Sequence, residues 1–301
     1  MSVFTSNFSE LLAPGLRQIF NATLKTTPEE YPHVFNMLST KRAYEEDLKV
    51  AGFGAMGEKP QGQSIQYDDP VQGGKVRYTA VTFGMGFRVT MEMWEDDLYG
   101  VIRKYPRELA ISAKQTREVR GWRLLNNAFA TTYFTGFDTL QLCSTAHTLL
   151  KSGGTAANRA GTDLDLGVTS LEESLTNFQD LVNDSGFPVG GLYKPKYLVV
   201  PTALEFLATK IVGSQYEPFS ADNQINELSR RGLQVIVSHF LTDVDAWFVI
   251  ADKHDMNWFT RAPIRFDNSD DFDTKDAKFS TFERYIQGFG DWRGVFGSAG
   301  A

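Results

Sequence analysis

The sequence predicts an α+β fold, and three observations carry that prediction. From Lys75 onward apolar and polar residues alternate with the period of a strand. Residues 94–132 read as a mainly helical stretch. Residues 136–256 alternate helix and strand signals, and a β-rich tail follows them. The 301 residues, 42% hydrophobic and 22% charged, suit an ordinary soluble globular protein of about two domains. A net charge of −7 argues against a sequence-independent grip on nucleic acid, though it leaves room for a local basic stripe.

Residues 1–45 carry scattered apolar groups (Phe4, Phe8, Leu11, Leu12, Leu16, Phe20) and two prolines in TTPEEYPHVF. They read as a short helix and then an extended arm without its own core. Glu10 and Pro14 interrupt the apolar run and no basic segment precedes it, so it is no signal peptide. No window of about 20 residues is free enough of charge to span a bilayer, so no membrane partner is expected.

The next segment turns Gly-, Gln- and Thr-rich. Val76, Tyr78, Ala80 and Thr82 fall on one strand face, and Arg77, Thr79 and Val81 on the other. Turn signals at Pro60, Gly62, Asp69-Pro70 and Gly73-Gly74 mark a long β-hairpin with a loose tip. In the helical stretch, Glu95 to Asp97 are placed to complement a helix N-terminus, and Pro106 restarts a helix that runs to about Phe129. Capping boxes at Ser170/Glu173 and Thr202/Glu205 open two further helices, the second stopping at Gly213. KYLVVP, LQVIVS and AWFVIAD read as strands, as do NWFTRAPIRF, KFSTFERYIQGFG and WRGVFGS in the tail.

The motif GFGAMG, residues 52–57, matches the G-x-G-x-x-G spacing of a dinucleotide site. That site needs a helix directly after the glycines, and Pro60 and Gly62 occupy its first turn. The glycines are therefore expected to bend an extended hairpin, and no cofactor is expected. His33, His147, His239 and His254 are scattered through different elements, and no metal site is expected of them. The run Asp267, Asp270, Asp271, Asp273, Asp276 lacks the glycine and terminal acid of a calcium loop and reads as a solvated turn. The single Cys143 excludes an intramolecular disulfide and reads as a small buried hydrophobe in a protein made in a reducing cytoplasm. No catalytic constellation emerges, and the chain is not expected to be an enzyme. On the long helix, Arg103, Arg107, Lys114 and Arg117 fall within a band of roughly 80°. Such a stripe either is a solvated face or meets phosphates or an acidic neighbour.

An arm and a hairpin that cannot bury themselves alone suggest burial against other subunits. The order of elements resembles that of tailed-bacteriophage major capsid proteins with the Hong Kong 97 fold, in particular the Mu-like major head subunits. NATLKTTPEEYPHVFNMLSTKRAYEEDLKVAGFG is similar to that subfamily's arm and loop entry. FRVTMEMWEDDLYGVIRKYPRELAISAKQTRE is similar to its return strand and spine helix, and YKPKYLVVPTALEFLATKIVGS to its axial strand and helix. LQVIVSHFLTDVDAWFVIADK and the aromatic tail complete the order.

The resemblance implies an N-terminal arm over 1–45 and an extended loop over 46–93. It implies a peripheral domain from 94–135 and 257–301, and an axial domain over 136–256. It further implies hexamers and pentamers of this chain closing into an icosahedral head around double-stranded DNA, and a portal protein as partner. Gly54, Gly57, Lys59, Gln61, Lys75 and Arg77 are then the expected assembly contacts. Arg103, Arg107, Lys114 and Arg117 are the expected non-specific DNA contacts. The chain begins with Met and shows no long N-terminal scaffolding segment, so a separate scaffolding protein is expected. Lys59 and Lys75 lie in the loop where some relatives cross-link, but no acceptor is identifiable and that chemistry is not carried over. The competing reading on the same fold is an encapsulin-like compartment.

Overall fold

The computed structural model describes residues 8–97, 100–216, 218, 225–271, 274 and 276–301. Phe4, residues 98–99 of the helical stretch and Asp273 of the acidic turn lie outside them. The expected mixture of helices and strands is present, and the chain divides into two units.

The first unit holds residues up to Glu45, Tyr78–Gly121 and Trp258–Gln287. Its sheet has the order β1-β10-β11-β4, from β1 (Asn36–Ser39), β4 (Val81–Val89), β10 (Met256–Asp270) and β11 (Ala277–Phe289). The helices α1 (Phe8–Thr26) and α3 (Tyr105–Asn126) contribute to one core with this sheet. There Leu16 and Phe20 join Val89, Ile102, Leu109, Phe266 and Phe279. The Trp258 ring packs at a tilt against Tyr31 and stacks on Tyr285, each at 4.4 Å between centroids, where offset aromatic contact is favourable. β11 alternates without a break: Ala277, Phe279, Thr281, Glu283 and Tyr285 are buried, and Lys278, Ser280 and Phe282 are exposed. The polar members of that buried row need partners, and the helix facing them supplies some.

Glu95 does not lie at a helix start. It ends α2 (Met91–Glu95), whose N-cap is Thr90. Asp97 does take the expected role, its carboxylate accepting from Val101 N at 2.9 Å and Ile102 N at 3.2 Å. Those amides open the 3-10 turn that leads into α3, and Pro106 sits in the first turn of α3 as its missing N–H allows. The helix stops at Asn126, three residues before the sequence-based limit.

The second unit holds Glu46–Arg77, Trp122–Asn257 and Gly288–Ala301. It contains the hairpin strands β2 (Tyr44–Ala51) and β3 (Val71–Thr79), apart from their outer ends, and the short pair β5 (His147–Thr148) and β6 (Thr155–Ala156). It also contains α4 (Val168–Gln179), β7 (Pro195–Pro201), α5 (Glu205–Gly213) and α6 (Glu227–Arg230). β8 (Gln234–Ser238), β9 (Trp247–Ala251) and β12 (Val295–Ser298) follow. Four of these strands form a sheet in the order β12-β9-β7-β8, with β8 parallel to β7 across α5 and α6, and the other pairs antiparallel. The central strand buries Leu198 to Pro201 consecutively, as a strand covered on both faces must. Leu171, Leu175 and Phe178 of α4 and Ala208 and Ile211 of α5 join that core.

Two capping expectations are corrected. Ser170 is not the N-cap but the third helical residue; its hydroxyl accepts from the backbone N–H of Gly167, the true cap. Thr202 opens a 3-10 turn, and α5 begins only at Glu205. The first error arises because a hydroxyl can satisfy a helix terminus from inside the first turn as well as from its edge. Among the described residues no helix is long and apolar enough to cross a membrane.

Candidate functional site

The feature that sets this chain apart from a self-contained fold is the hairpin of β2 and β3 with its loop, residues 52–70. β3 is conventionally amphipathic: Val76 and Tyr78 are buried, and Lys75, Arg77 and Thr79 are exposed. β2 is reversed. Tyr44, Leu48 and Val50 stand in solvent, and the charged Glu45, Asp47 and Lys49 occupy the more enclosed face. A strand with charge inside and apolar groups outside is stable only if the inner charges are paired and is useful only if the outer face is covered.

Lys49 is paired twice over. Lys49 Nζ lies 3.1 Å from Asp291 and 3.4 Å from Asp184. Arg293 binds the same two carboxylates at 3.0 and 3.5 Å and donates to Val182 O at 2.8 Å. Burial pushes Asp291 upward, but Arg293 and Lys49 together hold its carboxyl below the usual range. The hairpin is thus fastened by ions where most hairpins are fastened by apolar packing.

A second lysine clamps the loop's stem. Lys151 Nζ binds Asp68, and reaches Gly52 O at 3.3 Å and Asp69 O at 3.4 Å. Gly54 N donates to the same Asp68 carboxylate at 2.7 Å, and this bond, with Lys151, holds the acid below its usual pKa. Beyond that stem the loop has no regular structure except a turn in which Gln63 N donates to Pro60 O at 3.2 Å, with Gly62 at a left-handed φ of 83°. No helix follows Gly57, so the phosphate cradle that GFGAMG would need is not built. Phe53 is 67% exposed, Met56 100%, Ile65 63% and Tyr67 93%.

Of the six sequence-predicted contact residues, Gly54 belongs to the stem, and Gly57, Lys59 and Gln61 lie exposed in the loop. Lys75 and Arg77 instead meet Glu46 across the hairpin at 3.7 and 2.6 Å, and the Arg77 hydrogen bond holds Glu46 below its usual pKa. They bridge β2 and β3 at the surface. Sequence reasoning missed Lys49, Lys151 and the reversal of β2. A lone lysine in a turn carries no signal, but the alternation of YEEDLKVA was readable.

Glycine has a steric role at the base of β3. A Cβ on Gly74 would run into the backbone carbonyl of Phe137, whereas one on Gly52 would meet nothing within 4 Å. Gly74→Ala is therefore expected to destabilise the chain by about 1–3 kcal/mol and open the hairpin to protease, with Gly52→Ala near neutral. Paired thermal melts and limited proteolysis check this; equal behaviour of the two variants contradicts it.

The basic stripe of α3 splits in two. Lys114 is buried and pairs with Glu29 at 2.9 Å, and Arg117 binds Glu29 at 3.2 Å and Glu283 at 2.6 Å. Burial pushes the Glu283 carboxyl up, and Arg117 offsets part of that. Glu118 accepts the backbone N–H groups of Glu30 and Tyr31 at 2.5 and 3.1 Å. This half of the stripe holds the helix to its own unit. Arg103 and Arg107 remain exposed, with no ion pair among the described residues.

The other candidates resolve into core and surface. His147 is fully buried, flat against Trp292 at 4.3 Å, with Nδ1 2.5 Å from Asp138 and Nε2 3.0 Å from Asn158. His254 is buried enough that its imidazole is pushed down to about 4, and His33 and His239 are exposed. Burial pushes the Cys143 thiol up. Asp271 and Asp276 pair with Lys278 and Arg88 at 2.6 and 3.8 Å. Among the described residues no three His, Cys, Asp or Glu side chains converge as a metal site would require.

A family model described as Phage capsid protein matches residues 73–298. No curated protein matches the sequence. Among solved structures, the chain is similar to the capsid of the cyanophage P-SCSP1u, at 9% identity over 92% of this chain and 90% of that one, with a TM-score of 0.61. It is similar to the mature capsid of bacteriophage PhiM1, at 11% identity over 90% and 87%, with a TM-score of 0.59. A virus-like particle from Pyrococcus furiosus aligns at 8% identity over 95% and 98%, with a TM-score of 0.50. At such identities these are likenesses of fold. The family match is different in kind: it runs from within β3 to the end of β12 and takes in every strand of both four-stranded sheets except β1. The chain belongs to the phage capsid protein family.

Proposed function

We propose that this chain is the major head subunit of a tailed phage, of the Mu-like kind within the Hong Kong 97 fold. On this reading residues 1–45 form the arm, 46–93 the extended loop, 94–135 with 257–301 the peripheral domain and 136–256 the axial domain. Hexamers and pentamers close into an icosahedral head around double-stranded DNA, with a portal protein at one vertex and a separate scaffolding protein guiding assembly in the host cytoplasm. The reversed strand β2 carries the proposal. Its exposed apolar face, with Phe53, Met56, Ile65 and Tyr67 of the loop, is the kind of surface that a partner covers, and on this reading a neighbouring copy covers it.

Assembly then adds stability that isolated subunits lack, since whatever binds only the folded state shifts unfolding by mass action. Shells are expected to melt above dissociated capsomers, with the difference growing with concentration. Identical melting across a wide concentration range contradicts the reading.

DNA contact falls to the exposed half of the α3 stripe. Arg103→Glu with Arg107→Glu is expected to lower the DNA content of particles while empty shells still form, because phosphate contacts are electrostatic and independent of sequence. Unchanged DNA content assigns those residues to a merely solvated face. The similarity to the Pyrococcus furiosus particle favours, as second reading, an encapsulin-like compartment. Particles purified with protein cargo and no DNA would select it.

A further inference from the structure

In a chain of net charge −7, the stretch between Glu10 and Glu29 holds no carboxylate. Most of it is α1, which buries Leu16 and Phe20 and turns its other side to solvent. There Pro14, Arg17, Gln18, Asn21, Ala22 and Lys25 line an open hollow of about 590 Å³. Arg17, Gln18, Asn21 and Lys25 fall within about 100° of one another around the helix axis. All four are exposed, and each carries a hydrogen-bond donor.

The residues that anchor α1 are the chain neighbours of these cations. Leu16 and Phe20 share a core with Ile102 and Leu109, and Leu24 and Tyr105 pack against it. Arg103, Lys104 and Arg107 are exposed between those anchors at the start of α3, and the only acid in 101–110 is Glu108. Arg17, Lys25, Arg103, Lys104 and Arg107 have no ion pair among the described residues. Five unpaired cations thus border one packing contact between two elements.

This donor set suits a row of phosphates. Arg and Lys supply charge, Asn and Gln amides supply further hydrogen bonds, and none of these contacts reads a base. Arg17 and Lys25 stand about 12 Å apart along the helix axis. That is roughly the rise of three to four nucleotides, at about 3.4 Å each. The small Pro14 and Ala22 let a backbone come close to the helix. We propose that α1, through Arg17, Gln18, Asn21 and Lys25, joins Arg103, Lys104 and Arg107 in holding the phosphate backbone of double-stranded DNA. This rests on the reading of the chain as a shell subunit around DNA, and it extends the contact from α3 to a second helix.

Binding of a short fluorescent DNA duplex to dissociated full-length capsomers, measured by anisotropy over a range of salt, tests this. Five phosphate contacts per chain give the logarithm of the binding constant a slope of about −4.5 against the logarithm of salt concentration. Arg17→Ala with Lys25→Ala is expected to make that slope shallower by about 2, equally for two duplexes of unrelated sequence. Because both side chains are exposed, the variant is expected to fold and to form shells as the wild type does. Arg103→Ala with Arg107→Ala is expected to cost the slope a similar amount. A wild-type slope in the α1 variant beside a shallower one in the α3 variant would overturn the inference and leave the DNA contact on α3 alone. Wild-type capsomers that bind no duplex would overturn the DNA reading together with it. Shells lost in the α1 variant while its duplex binding stays intact would assign the hollow to a protein partner and overturn the proposal as well.

Discussion

Subunits in which residues 55–67 are replaced by an Asn-Gly turn are expected to fold and melt like the native chain and yet form no closed shells. The replacement keeps the stem, where Gly54, Asp68 and Lys151 meet, and spares Gly73 and Gly74, which lie against Leu150 and Phe137. A two-residue turn of this type suits the right-handed twist of the flanking strands. What is lost is a segment with no regular structure beyond one turn and with its apolar side chains in solvent, so the core loses little. Circular dichroism beside electron microscopy reads both halves of the expectation. Normal shells would remove the loop from assembly, and an unfolded subunit would make it part of the core.

The largest single-residue effect is expected at Arg117. Arg117→Ala removes the cation from Glu283 and leaves Glu29 with Lys114 alone. Breaking one partner of a buried pair leaves an uncompensated charge, so the loss at neutral pH is expected to be about 3–5 kcal/mol. Arg103→Ala, exposed on the same helix, is expected to stay within about 0.5 kcal/mol of wild type. The pH dependence follows from Glu283, whose folded-state pKa burial raises above its ordinary value. Such a carboxyl contributes full stability below its unfolded pKa and loses it as pH rises through the folded pKa. Without Arg117 the folded pKa rises further, so the variant's deficit is expected to shrink as pH falls into the carboxylate range. Denaturant titrations at several pH values measure this; a deficit independent of pH would mean that Glu283 is not the group left stranded.

The fold was legible wherever local signals and burial agree. β7, β9 and β11 follow directly from their apolar runs or alternation, and α3 is restarted by Pro106 as its chemistry demands. The helix caps were legible only in part, because Ser170 acts from within the first turn. The candidate site was legible in outline: three glycines and a proline excluded a phosphate cradle and pointed to a hairpin. Its fastening was not, because Asp184 and Asp291 lie far in sequence from Lys49, and no local pattern announces a partner so distant. The basic stripe shows the limit of helical periodicity. It groups Arg103 and Arg107 with Lys114 and Arg117, but only the tertiary position of Glu29 and Glu283 tells which cations are already used.

On the proposed function the outer face of β2 is covered by another copy of the chain. Leu48→Cys places a thiol on that face, and the native Cys143 is buried and silent. Maleimide labelling is then compared between dissociated subunits and assembled particles. Free subunits are expected to label rapidly and particles to be protected at position 48; equal labelling in both states would show that no copy covers this face.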